Sequence, residues 1–400
     1  MRVALLCSGL GHVLRGHETF AQQLVEMLSD SIELTVFKGG GTASSREVVV
    51  PNIPRNSPLL ADVHPKANPR WAATVADQER HRIESETFAY AALAPLMSGN
   101  YDVVHCLERE VCAVIHRERH LFSRPPRLLF SNGGAIPARD LPPCDMVQEH
   151  TAYNARYSAR NKSVVIPHGV DLKRFHPSAE PLSRTALGIS AGHRVAISVG
   201  TICRHHKRMD HVIEALADLP DWHLLIVGQE SPESDEIRQL GRARLGARVS
   251  FHRALHHELP AYYAAADAFV LGSTFETFGI VYLEAMAMGL PVFCTTHPNQ
   301  RSIVQEGGEY VDMRRPEDLA AAMRAHSVNS LRSLGQRGRE VVVREFDLAQ
   351  LPRRYIEIYQ QLTQQPPPVP RWTAADQWRA RARNLWRQLD DSIRGRAESA

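Results

Sequence analysis

Residues 268–295, AFVLGSTFETFGIVYLEAMAMGLPVFCT, alternate between apolar runs and a segment of helical spacing, and this alternation decides the fold. The apolar runs at 268–272 and 291–295 predict strands, and the segment from about 279 to 288 predicts a helix between them. Strands that are apolar at nearly every position are buried on both faces, which is typical of a parallel sheet covered by helices. The stretch therefore predicts an α/β domain.

The same alternation extends along most of the chain, in two series. Residues 167–177, PHGVDLKRFHP, contain Pro and Gly without periodicity, so we place the interdomain linker there. The first series has predicted strands at 1–8, 32–37, 102–106, 127–131, 145–148 and 163–166, with a helix at 18–28. The second has strands at 196–200, 223–228 and 248–251 and helices at 209–217 and 259–266, ahead of the quoted stretch. This pattern predicts two Rossmann-like doubly wound domains facing a cleft, at 1–167 and 168–345, and a closing helix at 346–363.

Composition narrows the class of protein. The 400 residues are 44% hydrophobic and 23% charged, which excludes disordered and fibrous chains. The 47 basic residues nearly balance the 44 acidic ones, so nucleic acid is not an expected partner. The sequence has no apolar stretch of about 20 residues, and we expect a cytoplasmic protein. Its six cysteines form no Cys-x-x-Cys pair, so we expect reduced, buried thiols rather than a zinc site.

The C-terminal tail differs from the rest of the chain. Residues 364–370, QQPPPVP, predict a stiff spacer, and 371–400 predict a basic amphipathic helix. Such a helix can contact an anionic membrane surface peripherally, or it can dock on its own domain or a neighbouring subunit. Both interpretations stay open. The apolar face of the predicted helix consists of Trp378, Ala382, Leu385, Trp386, Leu389 and Ile393.

Two carboxylates flank the start of the helix predicted in the quoted stretch. Glu276 lies before the helix and Glu284 lies inside it. If Gly279 opens the helix, the backbone N–H groups of Gly279, Ile280 and Val281 form an N-terminus that binds phosphate. Carboxylates accept hydrogen bonds from vicinal hydroxyl groups, so the layout fits a nucleotide sugar, with Glu284 at the ribose and Glu276 at the sugar. The alternative is two ordinary solvated acids.

These residues belong to a longer set of motifs that resembles the retaining GT-B glycosyltransferases of family four, the glycosyl transferases group one. The resemblance runs from residue 1 to about 362 and is most specific in the second domain. The Glu276 to Glu284 spacing, with Phe278-Gly279-Ile280 between, resembles the paired-glutamate signature of that family. The other matching segments are AMAMGLPV at 285–292, VIPHGVD at 165–171, SVG at 198–200 with Lys207-Arg208, LIVG at 225–228, AAADA at 264–268, GHE at 16–18 and YDVVH at 101–105.

The resemblance implies a GT-B fold and a transfer of sugar from a UDP- or GDP-sugar to an acceptor, with retention and without a bound metal or a cofactor. Lys207 is then the expected catalytic cation, because a leaving nucleoside diphosphate gains negative charge in the transition state. Thr201 stands where the family usually has Arg, so the second phosphate cation is Arg204 or Arg208. The acceptor is a glycan, a lipid or a metabolite.

The first domain contributes candidates at the ends of its predicted strands. Gly11 and Gly16 lie in the loop after the first strand and are expected to line the cleft. The spacing of that loop does not fit a dinucleotide fingerprint, which weakens a dehydrogenase interpretation. His105 ends a central strand, and it either reaches the reacting sugar, as the resemblance implies, or is a core histidine. Asn132 is a candidate acceptor contact on the same terms.

Two other functions fit the same motifs. One is a nucleotide-sugar epimerase of the same fold, which would release sugar without an acceptor. The other is a non-catalytic nucleotide-sugar-binding scaffold. The presence of both Glu276 and Glu284 argues against the scaffold, because binding alone does not require both carboxylates.

Overall fold

The computed structural model describes residues 1–13, 16–62, 72–364 and 378. The spacer predicted from 365 onward and the tail helix predicted at 371–400, apart from Trp378, lie outside the described residues. In the rest of the chain, two parallel β-sheets are each covered by helices on both faces. The fold class predicted from the sequence, α/β with two doubly wound units, is confirmed.

The first sheet has seven parallel strands within the described residues, in the order β3-β2-β1-β4-β5-β6-β7. Its strands are apolar nearly throughout, and every residue of β1 after Arg2 is buried. This composition places the sheet between two layers of helices. The strands are β1 Arg2–Cys7, β2 Glu33–Lys38, β3 Glu47–Val49, β4 Val103–Cys106, β5 Arg127–Ser131, β6 Met146–Glu149 and β7 Ser163–Val165.

The second sheet has six parallel strands, in the order β10-β9-β8-β11-β12-β13. Alternate residues of one strand enter different cores: Val195 and Ile197 of β8 pack in one cluster, and Ala196 between them packs in the other. The period of two, with an apolar core on each face, explains why β8 is apolar at most positions, with Arg194 and Ser198 as its polar residues. The strands are β8 Arg194–Val199, β9 Trp222–Val227, β10 Val249–His252, β11 Ala268–Val270, β12 Val292–Thr295 and β13 Gly308–Val311.

The helices connect these strands and cover both sheets. The long helix α2 contains Pro95, and no helix of the described residues combines the length and apolar character needed to cross a membrane. The helices are α1 Gly16–Leu28, α2 Ala72–Gly99, α3 Arg109–Arg117, α4 Ala152–Ala155, α5 Met209–Ala217, α6 Ser234–Leu245, α7 Leu259–Ala264, α8 Ile280–Ala287, α9 Pro298–Val304, α10 Pro316–Ala325, α11 Val328–Glu345 and α12 Leu351–Thr363.

The last helix, α12, follows the second domain in sequence but packs on the first. Its buried side chains Leu351, Tyr355, Tyr359 and Leu362 belong to the same core cluster as residues of β1, β2 and α1. Their spacing of three and four residues puts them on one helical face. The closing helix therefore ties the residues that follow the second domain to the first sheet.

Candidate active site

The centre of the site is an ion pair between two loops of the second domain. Lys207 lies between β8 and α5, and Glu276 lies between β11 and α8. Lys207 Nζ is 2.8 Å from Glu276 Oε1, and Ser273 Oγ donates a hydrogen bond of 2.6 Å to the same oxygen. Both loops follow the carboxyl ends of adjacent strands, which is where doubly wound sheets bind ligands. The structure thus brings together two of the three residues expected to be catalytic, Lys207 and Glu276, and the third, His105, lies elsewhere.

The backbone at Glu276 is held in place by two amide side chains of α9. Asn299 Nδ2 and Gln300 Nε2 donate to the Glu276 carbonyl oxygen over 2.9 and 2.7 Å. Thr151 of the first domain donates in turn to Asn299 Oδ1 over 2.8 Å. This chain of bonds couples the Glu276 loop to the opposite domain. Sequence reasoning missed it, because Asn299 and Gln300 follow β12 with no motif of their own.

The start of α8 has the geometry that the phosphate-binding prediction requires. Gly279 caps the helix in the left-handed region, with φ 85°, and a Cβ at this position would lie 2.7 Å from the Tyr282 ring. The helix begins at Ile280, so the N–H groups of Ile280 and Val281 belong to its first turn. Phe278, in contrast, is buried against the ring of His168 at a centroid distance of 4.8 Å. Phe278 is therefore part of the interface between the domains.

Glu284 lies on the second turn of α8 and is bound at both oxygens. Tyr263 O–H donates to Oε2 and His256 Nε2–H donates to Oε1, each over 2.8 Å. The hydrogen bond from His256 to Glu284 raises the pKa of the histidine. A cavity of about 110 Å³ adjoins this carboxylate and is lined on its other side by Thr19, Gln22 and Gln23 of α1.

The two candidates for the second phosphate cation do not reach this pair. Arg204 is partly exposed and lies 3.8 Å from Asp210 and from Glu236. Arg208 has left-handed backbone, with φ 50°, and its guanidinium donates to the Met313 carbonyl. The neighbour that does approach the site is His206.

The imidazole of His206 is the closest further side chain to Glu276. Its Nε2 lies 3.7 Å from Glu276 Oε2. Burial lowers the pKa of His206, which favours its neutral form. The basic run RHHKR thus contributes Lys207 and His206, while its arginines point to other partners. Arg204 and Arg208 stay predictions as phosphate ligands, and the structure places neither at the site.

His105 is a core histidine, which corrects the expectation that it faces the cleft. It is fully buried between β5 and α12. Ser131 donates to Gln148, so His105 Nε2–H donates to Ser131 Oγ over 2.6 Å and Nδ1 accepts from Tyr359 O–H over 2.8 Å. Burial lowers the pKa of His105 to about 3. Both ring nitrogens are occupied inside the protein, and none remains for a substrate.

The two glycines of the first loop have different roles. Gly11 has φ 90°, and a Cβ there would lie 2.3 Å from the Gly40 backbone, so it is required for close packing of two loops. Gly16 begins α1, and a Cβ there would meet no atom within 4 Å. Asn132 also has internal partners, since its amide donates to Glu149 Oε1 and to the Ile136 carbonyl. None of the three is shown in contact with the Lys207–Glu276 pair.

A buried polar group that the sequence analysis did not single out lies at the carboxyl edge of the first sheet. Glu108 Oε1 accepts from the N–H of Ser8 at 2.7 Å and lies 3.9 Å from His17 Nε2. Burial raises the pKa of Glu108 to about 8 and lowers that of His17 to about 4, so both are neutral near pH 7.

Among the residues that the structure describes, two groups of side chains have donor atoms close enough to hold a metal ion. One group is Cys7, His17 and Glu108, and the other is Cys203, His205 and Glu233. Within each group the ligand atoms lie within 4.8 Å of one another. Metal independence of the site stays a prediction.

The whole described chain has the GT-B fold. Sucrose-phosphate synthase from Thermosynechococcus elongatus superimposes with a TM-score of 0.73 at 24% identity, covering 90% of this chain and 98% of that one. The Anabaena protein HepE, solved in complex with UDP and glucose, superimposes with a TM-score of 0.67 at 16% identity, covering 90% of this chain and 99% of that one.

Most of the second domain matches a known protein family. Residues 180–340 match the family described as glycosyl transferases group 1, as the paired-glutamate motif predicted. A curated relative, D-inositol 3-phosphate glycosyltransferase of Geodermatophilus obscurus, is 37% identical over 180 residues. This match covers 41% of this chain and 40% of the relative. The chain thus spans less than half the length of that relative.

Proposed function

We propose that this protein is a retaining glycosyltransferase that moves a sugar from a nucleoside diphosphate sugar to an acceptor bound by the first domain. The observation that carries the proposal is the Lys207–Glu276 pair beside the first turn of α8. A fixed cation, a carboxylate and a helix N-terminus at one strand edge suit a ligand with a diphosphate between two polyhydroxylated groups. The family match over residues 180–340 supports the same function.

In the proposed reaction the diphosphate lies on the first turn of α8, with Lys207 at its oxygens. The bond between the anomeric carbon and the donor phosphate oxygen breaks, and a bond to the acceptor oxygen forms on the same face of the sugar. The acceptor proton passes to the phosphate oxygen that leaves. Lys207 and the helix dipole stabilise the charge that develops on the diphosphate. Glu276 binds hydroxyl groups of the transferred sugar and Glu284 those of the ribose.

Donor recognition follows from the charge of these groups. Lys207 and the N-terminus of α8 balance part of the negative charge of the diphosphate. We therefore propose that the enzyme does not need a metal ion. UDP is the first nucleotide to test, because HepE, which shares the fold, was solved with UDP and glucose. GDP is the second.

The test begins with calorimetric titration of UDP and GDP, with and without EDTA. We expect one nucleotide to bind in the presence of EDTA, and Lys207→Met to weaken binding about 10- to 100-fold, the loss expected for a charged hydrogen bond. Lys173→Met, which changes an exposed lysine of the linker, is the matched control and should bind as the wild type does. A wild-type protein that binds neither nucleotide would overturn the proposal.

Turnover separates the transferase from its alternatives. Release of UDP from UDP-glucose, or of GDP from GDP-mannose, is measured with and without a panel of sugar, polyol and lipid acceptors. Release that depends on an acceptor, with the new bond in the anomeric configuration of the donor, supports a retaining transferase. Release that no acceptor accelerates would support the epimerase, and tight binding without release would support the scaffold.

A further inference from the structure

One oxygen of the Glu284 carboxylate, Oε1, is bound by the ring of His256. The Glu284 side chain is only 4% exposed, whereas the His256 side chain is 37% exposed and lines the cavity between the domains. Tyr263, which binds the other oxygen, is fully buried. Glu284 lines the same cavity, but both of its oxygens already have donors, and His256 is the exposed one of the two, so a ligand hydroxyl group competes with His256 for Oε1.

We propose that His256 is a gate on Glu284, which must swing aside before vicinal hydroxyl groups of a nucleotide ribose can bind the carboxylate. This inference rests on the proposed function, because it takes Glu284 as the ribose ligand. The opening cost is the loss of one hydrogen bond of 2.8 Å. Tyr263 keeps Oε2 in place throughout, so the carboxylate is oriented when the gate opens. His256 thus acts on nucleotide affinity through Glu284.

The gate responds to pH, because its closed form is strongest when the imidazole is charged. The groups that face His256 are Glu284 and Tyr263, Arg174 of the linker and Glu26 of α1. Glu284 and Glu26 raise the pKa of His256, and burial and Arg174 oppose them, with a net increase. Below that pKa the imidazolium and Glu284 form an ion pair. Above it the neutral ring holds the carboxylate less strongly, so nucleotide binding tightens as the pH rises.

The test compares dissociation constants for UDP and GDP in the wild type, His256→Ala and His257→Gln, at about pH 6 and about pH 8.5, either side of the histidine range. His257 is the exposed neighbour on the same turn, so it is the matched control. We expect His256→Ala to bind about 5- to 10-fold tighter than the wild type at the lower pH, as for the loss of a competing bond worth about 1 kcal/mol. At the higher pH, the ratio of the wild-type dissociation constant to that of His256→Ala should approach one. The phosphate groups of the ligand titrate equally in all three proteins, so the ratio isolates the gate.

Equal or weaker binding of nucleotide by His256→Ala at the lower pH would overturn the gate and leave the nucleotide site standing. Tighter binding to the same degree in His257→Gln would also overturn it, because the effect would then not act through Glu284. If neither the wild type nor His256→Ala binds a nucleotide at either pH, the proposed function itself fails. A melting temperature for each variant verifies that the protein is folded.

Discussion

The carboxyl edges of the two sheets face each other, and each holds a buried carboxyl group, Glu276 at the second edge and Glu108 at the first, with different partners. At the second edge, charged side chains are kept in pairs, Lys207 with Glu276 and His256 with Glu284. At the first edge, burial removes the charge from Glu108 and His17. The two carboxyl groups differ in their partners and not in their burial: both are nearly inaccessible, and of the two only Glu276 has a lysine in contact.

The contrast assigns different tasks to the two edges. Under the proposed function, the paired charges of the second edge can be exchanged for those of a diphosphate. The neutral donors and acceptors of the first edge suit an uncharged hydroxyl group. Four substitutions test this comparison. Glu276→Gln and Thr151→Val change the second edge or a residue that supports it. Glu108→Gln and Tyr359→Phe do the same for the first sheet.

The largest effect is expected at the charged edge, for Glu276→Gln. The amide keeps the shape but loses the charge that Lys207 and the sugar hydroxyl groups bind, so we expect turnover to fall about 100-fold or more, as for other preorganised groups at a reacting centre. The measurement is release of nucleoside diphosphate from the donor. Glu340→Gln, on an exposed part of α11, is the control. A loss smaller than about threefold would remove Glu276 from the mechanism.

Glu108→Gln tests the neutral edge. The pKa of Glu108 is raised to about 8 by burial, above its value in the unfolded chain, so the folded state binds more protons between about pH 4.5 and 8. Because of this group, the free energy of unfolding falls as the pH rises through that window, by up to about 1.4 kcal/mol per pH unit. Gln does not ionise. We expect the free energy of unfolding of Glu108→Gln, measured in urea, to increase relative to that of the wild type between about pH 5 and 8. If the difference between the two free energies does not change with pH, Glu108 is ionised in the folded protein.

Tyr359→Phe tests whether His105 is structural. It removes the O–H that Nδ1 accepts and leaves that nitrogen buried without a partner, so we expect a loss of about 1–3 kcal/mol in the free energy of unfolding. Turnover per folded molecule should stay at the wild-type level. Tyr157→Phe, which changes an exposed tyrosine, serves as the control. A large fall in turnover without a change in stability would return His105 to the active site.

Thr151→Val tests the link between the two edges and has the smallest expected effect. It keeps the shape of the side chain and removes both the bond of 2.8 Å to Asn299 and the bond of 3.0 Å that Thr151 Oγ1 accepts from the Asn154 N–H at the start of α4. We expect unfolding to cost about 1 kcal/mol less. The same substitution should weaken nucleotide binding, because Asn299 also holds the backbone at Glu276. Thr87→Val, in α2 of the first domain, is the comparison; equal nucleotide affinities in the two variants would show that the link does not act on the Glu276 loop.

The elements that position the site could be predicted from the sequence because local patterns determine them. The helix predicted from about 279 to 288 is α8, Ile280–Ala287, and the strand predicted at 127–131 is β5, Arg127–Ser131. Gly279 was identified by its place before a helical pattern, and its positive φ agrees with that role. The places of Lys207 and Glu276 after strand ends were predicted, but their direct contact was not.

The rest depended on contacts between distant residues. Tyr359 lies 254 positions from His105, and nothing near His105 in the sequence indicates that α12 covers it. The direction of the Arg208 side chain depends on the left-handed backbone of Arg208 itself. The run RHHKR does not reveal that conformation. The short strands β3 and β13 lie at sheet edges and have few fully buried residues, so their apolar signal is weak. The domain boundaries and the tail stay predictions.

The position of α12 constrains how such a chain can be built and rebuilt. During synthesis the first domain emerges early, but the helix that covers its β1 and α1 is made only after the entire second domain. An apolar face of the first sheet is therefore exposed to aggregation until α12 has been synthesised. The same topology limits recombination: a chimaera that exchanges the second domain needs two crossovers, one in the linker and one before Leu351, so that each first domain keeps its own last helix.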